Sequence, residues 1–121
     1  MKKILVLASA AAISASAMAA APAPTVKFIS TQQIVTMCKN KASAQDQSYC
    51  GGFGQGVYDG YLMMVNPKKK GAQTICIPQD AKDPAIVDSF IKWTEANPNF
   101  NNRPAAEAVL NFLDQRYPCK K

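Results

Sequence analysis

Cys50-Gly51-Gly52-Phe53-Gly54-Gln55-Gly56-Val57-Tyr58-Asp59-Gly60-Tyr61 is the stretch on which the fold turns. It holds five of the chain's six glycines, and each costs about 1 kcal/mol against alanine inside a helix. Against that cost stands the spacing of the large residues. Tyr49, Phe53, Val57, Tyr61 and Met64 recur three or four positions apart, the period of one helix face. This spacing predicts a helix over 45–65. Its glycines, Gly54 among them as a structural position, are expected to admit a neighbouring backbone at close range. A phosphate-binding loop is the competing reading of the glycines. It fails because no G-x-G-x-x-G follows a strand and no Gly-Lys-Ser/Thr closes the motif.

Outward from this helix the pattern stays helical. Ser30 and Gln33 form a capping box, and Ile34, Met37 and Cys38 are the inward face of a first helix over 31–41. Asn66-Pro67 ends the glycine-rich helix, and Lys68, Lys69, Lys70 and Gly71 make an exposed basic turn. Thr74-Ile75-Cys76-Ile77-Pro78 reads as extended, with Pro78 as a structural corner. Asp83-Pro84 opens a third helix, Asp83 as its N-cap. Ile86, Val87, Phe90, Ile91 and Thr94 are its buried stripe, and Asn97-Pro98 closes it. Asn102 is the expected cap of a fourth helix over 103–117, with Ala105, Ala108, Val109, Phe112, Leu113 and Tyr117 apolar. Pro118 then stops it. Nothing alternates as a strand does and nothing repeats. The fold class is therefore all-α, a small bundle of about four helices.

The N-terminus has the marks of an export signal. Lys2 and Lys3 precede a short apolar run over 4–13, and Ala17-Met18-Ala19 suits the cleaving peptidase. The run is shorter than the ~20 residues a bilayer span needs. The expected organisation is a cleaved signal over 1–19, a flexible Ala/Pro-rich leader over 20–29 and one helical domain over 30–121. Losing Lys2 and Lys3 lowers the net charge from +6 to +4, and the mature form has no membrane span. The expected compartment is the periplasm. There the four cysteines, Cys38, Cys50, Cys76 and Cys119, are expected to pair as two disulfides. Three pairings are possible in principle. The helix order favours Cys38–Cys50, across the short turn between the first two helices, and Cys76–Cys119, fastening the extended segment to the C-terminus.

The chain of 121 residues contains no histidine. That removes a Ser-His-Asp triad, a Cys-His dyad and any His-ligated zinc. No C-x-x-C spacing marks a redox or zinc site. Asp59 stands mid-helix among aromatics, but glycoside hydrolysis needs two carboxylates across one bond. Glu95 and Glu107 fall on other helices. Asp59 is therefore expected to be a buried, hydrogen-bonded structural group. No catalytic residue, metal site or cofactor is expected, and the class is a binding protein, not an enzyme. Lys68, Lys69 and Lys70, with Lys120 and Lys121, offer positive charge to an anionic surface. No aromatics interleave them, so they make no stacking platform for nucleic acid. Trp93 borders the Phe90 stripe and reads as the edge of the core.

The ordered set of features resembles a known family. Cys38 is followed by Cys50 opening a Gly-rich helix with Asp59, then by Ile75-Cys76-Ile77-Pro78, a helix ending in Asn97-Pro98, and a last helix closing in Tyr117-Pro118-Cys119. This is similar to the Rap/Tai-type immunity proteins of type VI secretion systems, over about 31–119. The resemblance implies an all-helical periplasmic protein, often a homodimer, that neutralises a secreted cell-wall amidase effector by occluding its cysteine-hydrolase groove. It carries over the cysteines, Asp59 and the Pro-containing corners as framework, and no partner-contact residue. A small periplasmic helical stress chaperone of the acid-resistance type is the alternative. It needs an acid trigger, which eight carboxylates without histidine supply weakly.

Contact residues are expected on the connections of the bundle, which are what protrudes. The 97–103 connection offers Phe100 as apolar anchor beside Arg103, and the 66–73 turn adds Lys68, Lys69 and Lys70. The competing role for Phe100 is to pack back on the bundle as a staple for the last helix.

Overall fold

The computed structural model describes residues 27–66 and 68–120. The signal over 1–19 and most of the leader over 20–29 lie outside the described residues. Four helices follow in order: α1 Thr31–Lys39, α2 Ala44–Met64, α3 Asp83–Ala96 and α4 Ala105–Arg116, with a 3₁₀ turn Pro98–Phe100 before α4. The fold is an all-α bundle stapled by Cys38–Cys50 and Cys76–Cys119.

α1 begins where its capping box places it. The Ser30 hydroxyl accepts from the Gln33 amide, and the Gln33 side chain accepts from the Ser30 amide. Thr31, Ile34 and Cys38 are its buried face. Ile34 and Cys38 join Phe90 of α3 and Ala105, Ala108, Val109, Phe112 and Leu113 of α4 in one apolar core. The start of α1 is tied to the start of α4. The Thr31 amide and hydroxyl both donate to the Arg103 carbonyl, at 2.9 and 3.1 Å, and the Ala105 amide donates to the Ile29 carbonyl at 2.8 Å. The extended segment after the basic turn lies along the C-terminus. The Cys119 amide donates to Thr74, the Cys76 amide to Tyr117, each at 2.8 Å, and Ile75 bridges to Pro118. Pro78 is the expected corner, its carbonyl accepting from the Ala81 amide.

Four details differ from the sequence reading. α1 stops at Lys39, two residues early, with Asn40 as its C-cap. Asp83 is the first residue of α3, with Lys82 in the cap position. α4 begins at Ala105, with Pro104 and not Asn102 before it. A proline disfavours helical backbone in the residue ahead of it, so Arg103 cannot enter the helix. The glycines of α2 are the largest difference. A side-chain carbon placed at Gly51, Gly52, Gly54, Gly56 or Gly60 meets nothing within 4 Å. No neighbouring backbone approaches them, and the close-packing role expected of Gly54 is corrected. α2 buries only Cys50 fully. Phe53, Val57, Tyr58 and Tyr61 pack half-buried against the core, whereas Tyr49 and Met64, read as part of the same stripe, are exposed.

Candidate interaction surface

Three features of the surface have the shape or chemistry to receive something. The first is a trough of ≈ 650 Å³, open to solvent, between α2 and α3. Phe53 and Tyr58 form one wall, Ile86 and Val87 the other, and Phe90 and Phe112 lie below. Gly51 and Gly54 contribute bare backbone to the α2 wall, which is why the trough stays open. Its polar groups are Gln55 and Asp83. Such a trough holds apolar groups and has no paired acid and base.

The second is the 97–103 connection. Asn97 closes α3 with its side chain on the Trp93 carbonyl at 2.7 Å, and the chain then makes the 3₁₀ turn. Phe100 does not protrude. It is 8 % exposed, its ring centroid 4.9 Å from that of Trp93. The expectation of a free apolar anchor is therefore corrected, and the staple role describes Phe100. Arg103 sits over the Phe100 ring at 4.9 Å and pairs with Glu107 one helical turn on. It remains half-exposed. Trp93 is the edge of the core, its indole N–H donating to Gln115 at 2.9 Å.

The third is the end of α2 with the basic turn. Met63 is 88 % exposed and Met64 86 %, with Leu62 partly exposed beside them. Lys68, Lys69 and Lys70 follow, all exposed, and none takes part in the ion pairs found among the described residues. Gly71 closes the turn at φ +77°, a left-handed conformation that suits glycine. Tyr61, one turn before the tip, fixes this end to the bundle. Its hydroxyl accepts from the amides of Thr74 and Ile75, at 2.7 and 3.1 Å, and lies 3.3 Å from the Thr74 hydroxyl. Burial pushes the Tyr61 phenol up, but the hydrogen bonds from the Thr74 hydroxyl and the two amides outweigh it and hold the phenol below its ordinary value. Since Thr74 also bonds Cys119, the exposed Lys120 belongs to the same end of the molecule.

Sequence reasoning missed Met63 and Met64. The signal was present: Tyr61, Leu62, Met63 and Met64 are four consecutive apolar residues, which span the full circumference of a helix. Some of them must face water. Asp59, expected to be buried, is exposed. It accepts at 2.8 Å from Gln55, which lines the trough, without itself belonging to the lining. Among the described residues no group of three or more His, Cys, Asp or Glu is placed to hold a metal ion, and no helix is long and apolar enough to cross a membrane.

The helical bundle thus carries two disulfides, an open trough and a cationic tip. The family of Rap1a immunity proteins matches residues 30–119, and the chain belongs to that family. No curated protein and no solved structure gives a significant match.

Proposed function

We propose that this protein is a periplasmic immunity protein that binds and occludes a peptidoglycan amidase effector of a type VI secretion system. The family match over 30–119 carries the reading. Its support is the disulfide-stapled bundle, which suits an oxidising compartment, and the export pattern of the first nineteen residues. The protein acts by binding: it supplies no chemistry and denies the effector its substrate groove. Arg103 and the turn of Lys68, Lys69 and Lys70 are the contacts of this reading. Phe100 supports the Arg103 connection from beneath. Self-association as a homodimer belongs to the same reading, and sedimentation velocity measures it.

Protection is the direct test. The reading expects a wall amidase gene beside this one; its product is made in the periplasm of a test host, with and without this protein. Restored growth and a complex stable to gel filtration are the expected results. Lysis that proceeds unchanged, with no complex, overturns the reading.

A further inference from the structure

A contact surface that binds well has an apolar centre within a polar rim. Phe100 cannot be that centre, because it is packed beneath Trp93 and Arg103. The molecule presents such a centre elsewhere. Among the described residues Met63 and Met64 are the two most exposed large apolar ones, and they stand on the last turn of α2, within seven residues of three lysines that take part in no ion pair found there. We propose that the α2 tip, Met63 and Met64 with Lys68, Lys69 and Lys70 of the turn that follows and Lys120 at the same end of the molecule, is the principal docking surface for the partner protein. Its occupant is an acidic protein surface with an apolar hollow at its centre. The proposal rests on the immunity reading and names the chemistry of the partner's side.

Charge complementarity argues for the acidic rim. The tip offers four cations with no ion pair to satisfy them among the described residues, and such a cluster steers an oppositely charged partner into encounter. Methionine argues for a protein as the occupant. Its unbranched, polarizable chain adapts to an irregular hollow, and it is enriched at protein interfaces. A lipid-inserting tip has Trp or Phe beside Leu at its apex, whereas here Leu62 stands beside two methionines and the aromatic of the last turn, Tyr61, is bonded to Thr74 and Ile75. The same bonds fasten the last turn of α2 to the 74–75 segment.

Two exposed-site variants test this, M63S/M64S and K68S/K69S/K70S, each checked for an unchanged melting temperature. The probe is the wall amidase that the immunity reading expects a neighbouring gene to encode, its nucleophilic cysteine replaced by alanine, in surface plasmon resonance at two salt concentrations. M63S/M64S is expected to speed dissociation about tenfold or more. K68S/K69S/K70S is expected to slow association about tenfold at low salt and to flatten its salt dependence. Wild-type binding that neither variant alters overturns the docking surface and leaves the immunity reading standing. No wild-type complex overturns both. A parallel arm uses phosphatidylglycerol vesicles. Vesicle binding lost in both variants, with amidase kinetics unchanged, assigns the tip to a lipid surface and overturns the proposal.

Discussion

Trp93 and Phe100 lie tilted against each other, ring centroids 4.9 Å apart, and this contact turns the 97–103 connection inward. Phe90 and Phe112 complete the cluster, at 6.5 and 6.2 Å from the Trp93 ring. The loop that leads from α3 to α4 is thus held by aromatic packing, and its outward face is polar: Asn99, Asn102 and the half-exposed Arg103.

Phe100→Ala therefore acts on stability. Truncating a buried aromatic costs about 3–5 kcal/mol, and this one also removes the ring beneath Arg103. Urea unfolding is expected to show a midpoint lowered accordingly. Partner dissociation, measured where the variant is still folded, is expected to stay within twofold of wild type. A tenfold faster dissociation from an intact fold returns Phe100 to the interface.

The glycines of α2 lead to an opposite expectation. Gly52, Gly56 and Gly60 are exposed, and a methyl group at each meets nothing within 4 Å. Their backbone is helical, so alanine fits without strain and gains helix propensity of up to about 1 kcal/mol per site. The triple alanine variant is expected to gain about 2 kcal/mol, or roughly 10 °C in melting temperature for a domain of this size. A calorimetric scan checks it. A fall in melting temperature means that something meets these glycines after all.

The pattern of what was legible follows from where the forces lie. α1, α3 and α4 bury the stripes that their spacing announces, because Ile34, Phe90 and Phe112 have nowhere else to go. The first disulfide was legible because a short turn joins α1 to α2 and brings Cys50 back beside Cys38. The inward turn of Phe100 was not, since it depends on Trp93 standing at the right height on α3, which spacing alone does not give. Gly54 and Asp59 misled for one reason. A helical period says which residues share a face, but not whether a neighbour covers that face, and the neighbour of α2 leaves much of it bare. Pro104 was the neglected signal at the start of α4: its effect on Arg103 outranks the capping power of Asn102.

The second disulfide closes a long loop. Cys76 and Cys119 are 43 residues apart, against 12 for Cys38 and Cys50. Loop-closure entropy gives about 4 kcal/mol for Cys76–Cys119 and about 3 for Cys38–Cys50. Cys76→Ser with Cys119→Ser is expected to cost more in urea unfolding than Cys38→Ser with Cys50→Ser. The Cys38–Cys50 pair, however, lies in the core, both residues being buried, whereas Cys76 is exposed. Partial reduction should therefore open Cys76–Cys119 first, and thiol labelling with mass spectrometry reads which pair is free. Prior labelling of Cys38 and Cys50 contradicts this order.

Tyr61 joins the tip of α2 to the segment that the second disulfide fastens. Removing its hydroxyl leaves the Thr74 and Ile75 amides without their acceptor, and the Ile75 residue is buried. A buried donor left unpaired costs about 1–3 kcal/mol, so Tyr61→Phe is expected to lose that much near neutral pH. Alkali sharpens the difference. The folded phenol sits below its ordinary value, and the unfolded one titrates near ~10. As pH rises through the folded value, the unfolded chain holds the proton that the folded chain has lost, and stability rises with pH. This gain is absent below the folded value and complete above about 10. Wild type should therefore lose less stability than Tyr61→Phe between neutrality and pH ~10, as unfolding midpoints at each pH would show. Parallel curves for the two proteins would mean that the phenol of the folded state is not held by the amides.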